Sequence, residues 1–195
     1  MNDLKELLGF PFEDRQWFLK LIIGSVIAIV PILNFISLGY FLRCIKYGWT
    51  GRRTLPEWHD WGELFRDGCL GAVIILAYLI LPLMCGWIMS VLPLVGTFLA
   101  AILILILSLV IPMALASYAI QKEFRDAFML RNILIRAGKV LNYYLTAYLA
   151  AVLAVVIGIA LLVGVPIIGF LGGLLIFYAG VVFFNLVGFL FYKAG

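Results

Sequence analysis

The side chains able to do chemistry are few. His59 is the single histidine in 195 residues, with Glu57, Asp60 and Glu63 close by. Carboxylates beside an imidazole can hold a divalent cation, but one histidine on a surface segment is ordinarily just solvated, so no metal site is expected. Cys44, Cys69 and Cys85 are scattered, without C-x-x-C spacing, and make an odd total. They read as small apolar fillers rather than a redox pair or ligand set. The chain has no H-E-x-x-H, G-x-S-x-G or phosphate-binding glycine loop, the local patterns that position a metal, a nucleophile or a nucleotide. No catalytic residue, cofactor or enzymatic activity is expected; lipid chemistry driven by interfacial acids is the one enzymatic alternative.

Composition explains the scarcity. The chain is 66% hydrophobic and 12% charged, where soluble domains average about 45–50% and about 25%. A soluble chain of this length has too little polar surface to cover such a content. A soluble enzyme, a nucleic-acid-binding domain and a disordered regulator are therefore excluded, and an all-α, polytopic membrane protein remains. The charges lie at Asp3–Lys20, Arg43–Asp67, Lys122–Lys139 and Lys193, leaving 54 uncharged residues from Gly68 to Gln121 and 53 from Val140 to Tyr192. Each run is about twice the ~20 residues of one helical crossing, so each must fold back. Ion-coupled transport usually needs an acid or base at mid-membrane, and neither run has one. What they offer is Thr97, Ser108, Thr146, Asn185 and the tyrosines Tyr78, Tyr118, Tyr148 and Tyr178. A carrier or channel for a neutral or lipidic solute is the alternative function.

A recurring turn marks the fold-back points. Val30-Pro31-Ile32-Leu33-Asn34 is echoed by Leu92-Pro93-Leu94-Val95-Gly96 and by Val165-Pro166-Ile167-Ile168-Gly169. Proline ends one helix and suits the first turn of the next, while Asn34, Gly96 and Gly169 tolerate a left-handed backbone. The pattern predicts three helical hairpins, six membrane helices in all: 16–47, 68–121 and 142–192. The first pair is short or re-entrant, its arms being only about 21–23 Å long at 1.5 Å per residue. A single kinked span from Leu21 to Leu42 competes with it and would set the N-terminus opposite the other charges. Ten of the 14 basic residues lie in 43–66 and 122–139, which assigns those loops to the cytoplasm. The hairpin reading makes both termini cytoplasmic.

The loops carry interfacial signals. Thr54-Leu55-Pro56-Glu57 has the form of a capping box, predicting an interfacial helix within 54–67 that sets Trp58 and Trp61 in the headgroup layer. In the basic amphipathic segment 122–141, Ala127, Leu130, Leu134, Ala137 and Leu141 form one face, and Arg125, Asn132, Arg136 and Lys139 the other. Such a face attracts anionic headgroups; the alternative is a topology determinant without a ligand. Residues 1–20 look like a further interfacial approach. Ala150, Ala154 and Gly158, then Gly169 and Gly173, are spaced for close helix packing, within the monomer or in a homo-oligomer.

Phe10-Pro11-Phe12, Pro31-Ile32-Leu33-Asn34, Leu38-Gly39-Tyr40 and Leu55-Pro56-Glu57-Trp58-x-Asp60-Trp61 resemble an uncharacterised prokaryotic membrane family, domain-of-unknown-function family 4013. The resemblance implies a helical protein of a prokaryotic cytoplasmic membrane and supplies no activity or site residues. The expected function is a non-enzymatic scaffold or accessory subunit that interacts with lipids or a larger membrane assembly. Trp58, Trp61, Arg125, Arg136 and Lys139 would hold the headgroup layer.

Overall fold

The computed structural model describes residues 9–52, 54–88, 93–164 and 169–195, and every regular element among them is helical. A 3-10 turn at Phe10–Glu13 precedes α1 (Trp17–Ile29), α2 (Asn34–Trp49), α3 (Trp61–Ile88) and α4 (Pro93–Gln121). A second 3-10 turn at Phe124–Phe128 leads to α5 (Leu130–Lys139), α6 (Leu141–Gly164) and α7 (Gly169–Ala194). Four helices, α3, α4, α6 and α7, are long and apolar enough to cross a membrane; α1 is apolar but shorter.

α2 lies between α3 and α7 and touches both over most of its length. Glycine makes this possible. A β-carbon on Gly68 of α3 would overlap the Phe35 carbonyl of α2, and one on Gly39 would overlap the Leu64 carbonyl. On the other side, Gly48 abuts the Asn185 carbonyl and Gly188 the Ile45 carbonyl. Backbones this close gain dispersion contact that lipid cannot supply. α7 is the hub, in contact with α1, α2, α4 and α6. By contrast, α6 and the first half of α4 turn most of their apolar surface outward, as a lipid-facing surface does, while the second half of α4, from Val110 to Ala119, enters the core.

Several expectations are corrected. Residues 54–67 are not one interfacial helix: 54–60 run as an irregular strap, and the helix beginning at Trp61 continues without a break into the apolar run. The capping box loses to tertiary contacts. The Leu55 amide donates to Asp14 Oδ2 (3.2 Å) and the Pro56 carbonyl accepts from the Tyr40 hydroxyl (3.0 Å), while Glu57 reaches Lys20. Asp60 then takes a left-handed backbone (φ 54°) to turn the strap into α3.

The 122–141 segment is likewise divided. Lys122 is left-handed (φ 62°), and its amide bonds the Tyr118 carbonyl at 2.8 Å, which terminates α4. Of the expected apolar face, Ala127 in the preceding turn is buried and Leu130 and Leu134 are exposed; Ile133, outside that face, is the buried residue of α5. Pro31 lies in the turn between α1 and α2, and Pro93 is the first described residue of α4. Asn34, however, is the first residue of α2, Gly169 is the first described residue of α7, and Gly96 lies within α4. None is left-handed; among the described residues only Gly51, Asp60 and Lys122 are. Pro166 and the turns at 89–92 and 165–168 lie outside the described residues. Gly158 packs against Gly172, and a β-carbon on Gly173 would meet nothing.

Candidate functional site

Two polar regions sit on the helix ends, and they are built differently. The first begins with Lys20 in the first turn of α1. Its buried ammonium donates to Asp14 Oδ2 (2.8 Å), Glu57 Oε1 (2.6 Å) and the Leu55 carbonyl (3.3 Å). Asp14 also accepts the amides of Gln16 (2.8 Å) and Leu55. Burial alone would raise the Asp14 carboxyl; hydrogen bonds from Lys20 and the two amides, with the charge of Lys20, hold it below its ordinary value. Trp58 closes the strap: its indole donates to the Lys20 carbonyl (3.1 Å), and its ring stacks on Tyr40 at 4.1 Å and on Trp61 at 5.6 Å.

The same network continues across the bundle. Arg43 of α2 donates to the His59 carbonyl (2.8 Å) and to Glu63 (3.2 Å), which ties α2 to both strap and α3. Lys122, just past α4, bonds the buried Asp67 of α3. His59 is exposed and pairs with Asp60 at 3.1 Å. No group of three His, Cys, Asp or Glu suited to a metal occurs among the described residues.

The second region is α5 with the chain around it. Residues 1–123 hold nine basic and nine acidic residues; residues 124–195 hold five basic and one acidic, so the whole net charge of +4 lies there. Arg125 and Arg131 are exposed. Arg136 lies over the Phe191 ring at 4.4 Å, and Lys193 over Phe189 at 4.6 Å. Lys139 donates to the Ala194 carbonyl (2.9 Å) at the C-terminus of α7, where the helix dipole favours a cation. Leu130, Leu134 and Ile135 are exposed on α5 beside these cations. A helix that shows leucines and arginines together suits the boundary between headgroups and acyl chains.

The expected headgroup residues thus divide. Trp58 belongs to the strap and Trp61 opens α3, half-exposed, whereas Arg125, Arg136 and Lys139 belong to the basic region. The sequence reading missed the network of Asp14, Lys20, Arg43, Asp67 and Lys122. Its partners are up to 55 positions apart, and no local pattern joins them.

Residues 22–168 match a family described as "Protein of unknown function (DUF4013)". The chain belongs to this family. The DUF4013 match takes in the strap, Arg43, Asp67, Lys122 and all of α5; Asp14, Lys20 and α7 lie outside it. No curated protein and no solved structure matches the chain.

Proposed function

We propose that this chain is a non-enzymatic membrane scaffold or accessory subunit whose polar end sits in the cytoplasmic headgroup layer of a prokaryotic plasma membrane and binds anionic lipid there. α3–α4 and α6–α7 are two spanning hairpins, and α1–α2 is a re-entrant one. With 13 and 16 residues, its arms reach about 20 and 24 Å at 1.5 Å per residue, short of a ~30 Å hydrocarbon core. The bond from Lys20, at the start of α1, to Glu57, ahead of α3, supports a common side for those two stretches. A single kinked span would separate them.

The observation that carries the reading is the charge segregation: a neutral first part and a +4 second part, with exposed leucines beside the cations. Basic residues near a membrane surface attract anionic lipid with about 1 kcal/mol each and favour the cytoplasmic side. The test is lipid retention by the purified full-length protein, read by native mass spectrometry. Phosphatidylglycerol should be kept in preference to phosphatidylcholine, and equal retention of the two overturns the lipid role.

A further inference from the structure

Within the basic region, a cleft between the end of α4, α5 and the end of α7 is lined by Ser117, Gln121, Asn132, Arg136 and Phe191, among others, and none of its lining residues is acidic. Its volume is about 30 Å³, room for one oxygen-sized group. The donors around it are poorly matched. Among the described residues, Asn132 Nδ2 has only the Met129 sulfur at 3.6 Å, and Gln121 Nε2 reaches the Ser117 hydroxyl at a long 3.5 Å. That hydroxyl donates its own proton to the Asp126 carbonyl at 3.1 Å, so it fixes Gln121 rather than serving a ligand. Arg136 forms no hydrogen bond or ion pair among the described residues; its guanidinium rests on Phe191 and lies beside Gly195, with N–H donors left for another partner.

We infer that this cleft is a phosphate-group site, seating one non-bridging oxygen of an anionic phospholipid against Arg136, with Gln121 and Asn132 supplying amide donors. An arginine fork matches phosphate geometry. A lipid is the source favoured here, because exposed Leu130 and Leu134 stand on the same short helix, in position to meet acyl chains. The inference rests on the lipid-binding reading above and gives it a defined site.

The test uses the full-length protein in detergent and compares affinity for phosphatidylglycerol with affinity for inorganic phosphate. Arg136→Gln should weaken phosphatidylglycerol binding about tenfold, as expected for loss of a charge-assisted contact, while Arg131→Gln, which removes one exposed cation outside the cleft, should weaken it by no more than about fivefold. Because Arg136 also packs on Phe191, Asn132→Asp provides a second variant: it adds an acid at an exposed position without disturbing that ring, and it should weaken binding by a similar factor. Undiminished affinity in both Arg136→Gln and Asn132→Asp overturns the site, even where the wild-type protein still prefers phosphatidylglycerol to phosphatidylcholine. No preference in the wild-type protein overturns the broader lipid reading as well. Tight binding of inorganic phosphate that displaces the lipid would identify a soluble phosphate compound as the ligand and overturn the lipid source.

Discussion

The strap network and the α5 region contain the same kinds of cation in opposite circumstances. Lys20, Arg43 and Lys122 each meet a carboxylate from another part of the chain. Arg125, Arg131, Arg136, Lys139 and Lys193 meet none among the described residues. Removing a buried ammonium from water is costly unless an acid and further hydrogen bonds replace the hydration, so Lys20 comes with Asp14 and Glu57 and serves the fold. The α5 cations keep access to solvent or a headgroup layer and remain available to an anion. Local charge balance thus separates a clamp from a binding surface, which the total of +4 does not.

The comparison breaks most readily at Lys20. Lys20→Met should destabilise the protein by about 3 kcal/mol or more, because Asp14 is left buried without its cation. Replacing both partners, as Asp14→Leu with Lys20→Met, should recover most of that loss; thermal unfolding in detergent measures both. A single-variant loss below about 1 kcal/mol would put the strap network in the same class as the α5 cations.

A smaller effect is expected from acid. The Asp14 carboxyl is held below its ordinary value in the folded chain. Its contribution is therefore complete at pH above the unfolded value, about 3.9, and disappears as pH falls through the lower folded value. The stability difference between wild type and Asp14→Asn should shrink over that acidic window. A difference that stays constant there would separate Asp14 from the clamp.

The α5 region should respond least in stability. Lys139→Gln should cost about 0.5 kcal/mol through lost interaction with the end of α7, and Arg131→Gln should change stability by no more than about 0.5 kcal/mol. A large loss at Arg131 would make the basic surface structural and erase the contrast.

Local sequence predicted much of the helical content. The uncharged run from Gly68 to Gln121 appears as most of α3 and all of α4, and the run from Val140 to Tyr192 as α6 and most of α7. Pro31 marks a real boundary, in the turn between α1 and α2. One reading fails because local pattern ignores what lies across the fold. Thr54-Leu55-Pro56-Glu57 has the residues of a helix start, yet Asp14, Lys20 and Tyr40 take up its backbone and side-chain groups. On α5 the expected apolar face leaves Leu130 and Leu134 exposed, and the residue buried among the neighbouring helices is Ile133, which that face did not include.

Composition and charge spacing alone determined an all-helical chain with runs long enough to cross a bilayer, because a polar backbone in an apolar stretch satisfies itself most simply as helix. Tertiary structure alone decided which cations are neutralised and which glycines let helices touch. Both depend on groups brought together from distant parts of the chain, and neither hydropathy nor periodicity records those encounters.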